Sequence, residues 1–96
     1  MPFKAMLLAS LLTLSLAGAG DAACFADYKA KQDNPLRLHY GVMDVPDSAC
    51  SVGAAVGVIG PRLRGAGWTL LNVISVFGPE GLDERKVSAG EFFRRF

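Results

Sequence analysis

The chain has 96 residues, ten Lys or Arg against nine Asp or Glu, two Cys and a single His. Charges this balanced and interspersed argue against a basic nucleic-acid-binding face and against simple electrostatic adhesion to anionic lipid. A chain this short supports one small domain.

Met1 to Lys4 carries one cation, and Ala5 to Leu16 is an apolar run of about 12 residues. Ala17 to Ala23 is a small-residue stretch broken only by Asp21. A charged start, an apolar middle and a small-residue exit make a secretory signal peptide, and the run is shorter than the roughly 20 residues of a membrane span. Gly20-Asp21-Ala22 places small residues at the two positions a signal peptidase reads, so cleavage is expected after Ala22, with Ala19 and Ala23 as alternatives. Cys24 raises the alternative of a lipid-anchored N-terminus, but the branched apolar residue that such a site wants three places earlier is Asp21. The expected division is a signal peptide over 1–22, an N-terminal arm over 23–35 and a domain over 36–96. The product is exported, periplasmic or secreted, and has no membrane span once the signal is removed.

An exported chain of about 74 residues buries only about 60% of its unfolded surface and is marginal without a covalent staple. Cys24 and Cys50 allow one intramolecular pairing. Closing a loop of about 27 residues is worth roughly 3.5 kcal/mol.

Cys24 to Asn34 is polar with Phe25 and Tyr28 three apart, which predicts a helical turn laid on the core and tied by the cystine, ended by Asn34-Pro35. Leu36 to Val45 alternates, with Leu36, Leu38, Tyr40 and Val42 on one face and Arg37, His39 and Gly41 on the other. That is the period of a half-buried strand; Met43 and Val45 break it, which points to a bulge or a covered edge. After a Ser48 or Ser51 cap, Val52, Ala55, Val56, Ile59, Leu63 and Ala66 form one helical stripe. Gly53, Gly57 and Gly60 weaken that helix, Pro61 is expected to kink or split it after Gly60, and Gly65 or Gly67 caps its end. Trp68 to Phe77 is apolar on both faces, as for a strand covered on two sides. Gly78-Pro79-Glu80-Gly81 turns the chain, Leu82 to Gly90 reads as a charged mobile loop, and Gly90 to Phe96 reads as a last strand. The expected fold is α+β: a small three-stranded sheet with one packed helix, in the order β-α-β-β, with the last strand between the other two and the arm tied on by the disulfide.

Leu38-His39-Tyr40, Leu63, Gly67-Trp68, Leu70-Leu71 and Phe93-Arg94-Arg95 fall in an order that resembles a family of small bacterial domains of unknown function. That family has an N-terminal strand, a helix with a Leu ahead of a Gly, a Gly-Trp-Glu-Leu-Val strand and a closing aromatic-Lys/Arg strand. The resemblance spans Leu36 to Phe96 and departs at Thr69, where the family has Glu. It implies a fold and no activity. Independently of it, Gly67 ends the helix and Trp68 drops a large ring onto the helix–sheet seam.

Candidate chemistry is sparse. His39 lies opposite Tyr40, on the helix-free face, and Asp44 is aimed away from it, so no base or metal partner stands nearby. Cys50 near a helix start has the setting of a reactive thiol, yet a half-cystine is the simpler role. Ser48, Ser51, Ser75 and Ser88 lack a nucleophile-elbow context, and Glu80, Asp83, Glu84 and Glu91 belong to a solvated loop. The glycines from Gly53 to Gly67 lack the Lys-Ser/Thr of a phosphate loop. No catalytic, cofactor-binding or metal residue is assigned. The leading expectation is a non-enzymatic interaction or structural module of the cell envelope, contacting another envelope protein or itself through a sheet face or edge. The alternative is a small exported enzyme or inhibitor with a site on His39, Tyr40 and the Gly78–Gly90 loop.

Overall fold

In the computed structural model, which describes residues 23–96, a two-residue alternation begins at Cys24. The signal peptide expected over 1–22 lies outside the described residues. Cys24, Ala26, Tyr28 and Ala30 are buried on one side of a strand, and Phe25 and Asp27 on the other. This strand, β1 (Cys24–Gln32), pairs antiparallel with β2 (Arg37–Val45) on one flank and with β3 (Thr69–Phe77) on the other. The sheet order is β2-β1-β3.

The α+β class, the three-stranded sheet with one main helix and the Cys24–Cys50 bridge are as the sequence leads one to expect. The identity of the third strand is not. The segment expected as a helical arm is the central strand, and the strand and main-helix order is β-β-α-β. Phe25 and Tyr28 are not stacked on one helical face; they point to opposite sides of the sheet and anchor two separate clusters. Small alanines between them mask the alternation, because Ala carries little strand signal.

Helix α1 (Val52–Gly65) starts at Ser51, whose Oγ accepts from the Ala54 amide at 3.2 Å. Ala55, Ile59 and Leu63 turn onto the sheet and pack against Tyr28, Met43 and Val73. The helix does not split at Pro61. The carbonyl that proline deprives of a donor belongs to Gly57, four residues back, and Gly57 is exposed, so solvent can reach that carbonyl. At the other end the Gly67 amide donates to Arg64 O at 3.1 Å and the Trp68 amide to Leu63 O at 2.9 Å. Gly67 takes φ 87° and Trp68 closes onto the core beside Leu63. This paired-bond exit requires a left-handed residue, which explains the Gly-Trp dipeptide. The disulfide joins the first residue of β1 to the residue before the helix cap, so it ties the sheet to α1.

The expected mobile loop contains a second helix, α2 (Asp83–Ala89), entered through a 3-10 turn at Pro79–Gly81. Leu82 and Ala89 face Phe25, Val42 and Phe77 across the side of the sheet opposite α1. Two inward residues in a charged string are too weak a stripe to read from sequence. The expected closing strand is also absent: Gly90–Phe92 is a 3-10 turn, and the tail meets the sheet at a single Val42–Phe93 bridge, with the Arg94 amide donating to Val42 O at 2.8 Å. Left-handed Gly90 (φ 54°) and Arg94 (φ 59°) interrupt extended geometry there. The tail therefore straddles the β2 edge, with Phe93 on the α2 side and Phe92 and Phe96 on the α1 side.

Candidate functional site

Strand parity puts His39 on the α1 side of the sheet, the covered face rather than the helix-free one, and Tyr40 on the other. His39 is 8% exposed. Its Nε2 shares a 3.0 Å hydrogen bond with the Tyr28 hydroxyl, and Phe92 stacks on its ring at 3.7 Å between centroids. Trp68 meets it edge-on at 4.3 Å, and Phe96 closes the box at 6.1 Å. Burial, aided by Arg95 and opposed by Glu91, holds the imidazole below its ordinary pKa. Burial pushes the Tyr28 hydroxyl up to about 12. Both groups are therefore neutral at pH 7. His39 Nδ1 is buried without a partner. The ring is pinned by Tyr28 and stacked by Phe92. Tyr28 needs the space over its cross-strand partner Gly41, where a Cβ would lie 2.6 Å from Tyr28 Cζ.

The opposite face holds a second polar cluster that the sequence did not reveal. Asp27, 5% exposed, accepts from Tyr40 Oη at 2.8 Å, Ser75 Oγ at 2.7 Å and Arg85 Nε at 3.0 Å. Arg85 also donates to Gly81 O at 2.8 Å and lies 3.9 Å over the Phe77 ring. Burial alone would raise the Asp27 pKa, but the hydrogen bonds from Ser75, Tyr40 and Arg85 outweigh it and lower the pKa. The Tyr40 hydroxyl, buried and facing that carboxylate, is pushed up to about 12. A carboxylate saturated by three donors clamps α2 to the sheet. Tyr40 and the Gly78–Gly90 segment thus come together, with the sheet between them and His39.

Of the remaining candidates, Ser48, Ser88, Glu80 and Asp83 are exposed. Ser51 is the α1 cap and Ser75 a donor to Asp27. Cys50 is bonded to Cys24, which also leaves no Cys24 thiol to acylate. Glu84 and Glu91 pair with Arg85 and Arg95 at 3.5 and 3.2 Å. Among the described residues, no group of three or more His, Cys, Asp or Glu is placed to hold a metal ion, and no helix is long and apolar enough to cross a membrane.

Three surfaces remain open. The first is the β3 edge. Nine β3 residues oppose the seven from Phe25 to Lys31, so Leu71 and Ile74 are bulged out of register and half exposed. Leu70, Val73 and Val76 reach the α1 side at a spacing of three, which is why both faces of this segment read as apolar. The strand is covered on both sides only toward Ser75 and Phe77, where α2 packs. The second is the outer face of α1, where Val52 and Val56 are 43% and 44% exposed and Gly53 and Gly57 front open space. The third is the hairpin end of the α2 side. Leu36 and Leu38, expected on the buried face, are 64% and 66% exposed, because α2 stops over Phe25 and Val42 and never reaches them. No family model, curated protein or solved structure matches this chain.

Proposed function

We propose that the protein is an exported, disulfide-stapled module of the cell envelope, periplasmic or secreted, that works by protein contact rather than by chemistry. The pattern over residues 1–22 supports export, and a bridge between the only two cysteines suits an oxidising compartment. The Asp27 carboxylate, engaged by three donors, supports a role without turnover.

The observation that carries the contact reading is the composition of α1. From Val52 to Pro61 the helix has no polar side chain on any face. A helix apolar all round is a buried helix, yet this one leaves Val52, Gly53, Ala54, Val56 and Gly57 exposed. Its best cover is a second copy. Asp47 stands before the helix and Arg64 at its end, both exposed, and among the described residues neither has an ion-pair partner. An antiparallel pair brings these opposite charges together at both ends and aligns the helix dipoles favourably. The glycines allow close approach. A helix of 14 residues is about 21 Å long and about 10 Å wide, so its outer face offers about 200 Å² against the roughly 800 Å² per partner of a standard interface, and the dimer is weak and concentration-dependent. The β3 edge is the poorer contact, since two bulges disfavour added strands.

Intact mass of the exported form, with and without reductant, tests export: loss of the first 22 residues and a two-hydrogen increase on reduction are expected. Sedimentation equilibrium tests the contact. A reversible dimer should appear and be lost in Val56→Lys with no change in thermal stability. A strict monomer that also yields no cross-link to an envelope protein from a photo-reactive residue at position 56 overturns the reading.

A further inference from the structure

We propose that the hairpin end of the sheet is an interfacial anchor for an anionic phospholipid surface. The near-neutral net charge conceals a local segregation that only the fold reveals. The β1–β2 hairpin and its neighbour β3 bring Leu36, Leu38 and Leu71 to one end of the α2 side, 64%, 66% and 50% exposed. A hollow of about 260 Å³ lies among Lys29, Leu38, Tyr40 and Leu71. Lys29 and Lys31 stand on the leucines' face and Arg37, paired with Gln32, on the other face of the same end, and the one acid of the turn, Asp33, is bound to Lys31 at 3.1 Å. Glu80, Asp83 and Glu84 lie with α2 at the other end, over Phe25 and Phe77.

Apolar side chains at the hairpin end, with cations on either face of it, match the boundary between acyl chains and acidic headgroups. The leucines replace water with hydrocarbon while the lysine and arginine stems let their charges reach phosphate. The competing occupant is α2 of another copy, whose acids flank Val87 at 91% exposure. One valine covers three leucines and a hollow poorly, so lipid is the better complement. The inference rests on export only insofar as export brings the protein to a membrane surface. It does not depend on the α1 contact, which lies on the other side of the sheet.

The experiment is vesicle flotation of the exported, oxidised protein, using phosphatidylcholine alone and phosphatidylcholine mixed with phosphatidylglycerol. Binding to the anionic vesicles is expected, weakening with salt. Lys29→Gln should reduce partition about five-fold, Arg37→Gln, on the other face, by less, and Leu38→Glu should reduce it roughly ten-fold or more. The circular-dichroism melt of each variant should be unchanged, because all three side chains are exposed. Equal binding to neutral vesicles, no binding to either, or wild-type binding by Leu38→Glu overturns the proposal. So does loss, in Leu38→Glu, of a lipid-independent self-association, which would assign the leucines to a second copy. Failure of the α1 dimer alone leaves vesicle binding intact, so the two readings fail separately.

Discussion

Replacing Asp27 by Ala should be among the most damaging single changes, and its cost can be worked from contacts. The substitution strips three donors of their acceptor: Tyr40 Oη, Ser75 Oγ and Arg85 Nε. Breaking a buried ion pair from one side costs about 3–5 kcal/mol. The Arg85 side chain is 21% exposed and can swing toward water, which places the loss near the lower end, about 3 kcal/mol. A domain of this size has roughly 4–11 kcal/mol in all. With a urea m-value of about 1 kcal/mol/M for so small a domain, the midpoint should fall by about 3 M at constant m. Asp27→Asn keeps the shape and should lose about 2 kcal/mol. Because the Asp27 pKa is lowered, its contribution is present above the ordinary value of 3.8 and is lost as pH falls through the lower folded value. Asp27→Asn should therefore flatten the acid limb in that window. Arg85→Met should cost much less once Asp27 is gone. If Asp27→Ala and Arg85→Met add within about 0.5 kcal/mol, the clamp as described does not exist.

The His39 box predicts a second pH dependence, of the same sign but at higher pH. The folded imidazole is held below 6.5 by burial, so stability should be full above 6.5 and decline as pH falls toward the folded value. Thermal melts across that range should show the slope, and His39→Gln should remove it. Reducing the Cys24–Cys50 bridge should lower stability by about 3.5 kcal/mol, read as the difference between urea curves with and without reductant. Gly41→Ala should cost about 1–3 kcal/mol by crowding the Tyr28 ring; an unchanged midpoint would mean that the ring has room to move.

What could be read from sequence was what a local period or a local cap encodes. Ser51, the Ile59–Leu63 stripe and the Gly67-Trp68 exit each carry their reason within a few residues. The partner of Cys24 was legible because only one other Cys exists. What failed was long-range. Whether β1 or the tail fills the middle of the sheet depends on which segment can be buried on both sides, and alanines under α1 leave no mark of that. The Asp27 clamp joins residues 48 and 58 positions apart, beyond any spacing rule. The two bulges gave β3 a false appearance of burial on both faces, and the missing cover over Leu38 is a property of where α2 ends.

That uneven cover leads to a prediction neither surface makes alone. The leucines and α1 lie on opposite sides of one sheet. A two-fold pair made through the outer face of α1 therefore stacks sheet, helix, helix and sheet, with the two leucine faces outermost and pointing apart. Such a dimer cannot place both hairpin ends on one flat bilayer, so it gains no avidity there, because both sites cannot engage together. It can instead hold two surfaces. Mixing the oxidised protein with anionic vesicles should cluster them, seen as rising light scattering. Val56→Lys should abolish clustering while leaving single-vesicle binding unchanged, and Leu38→Glu should abolish both. If Val56→Lys weakens binding to dilute vesicles as much as it weakens clustering, the two leucine faces point the same way, and the helix-to-helix arrangement is wrong.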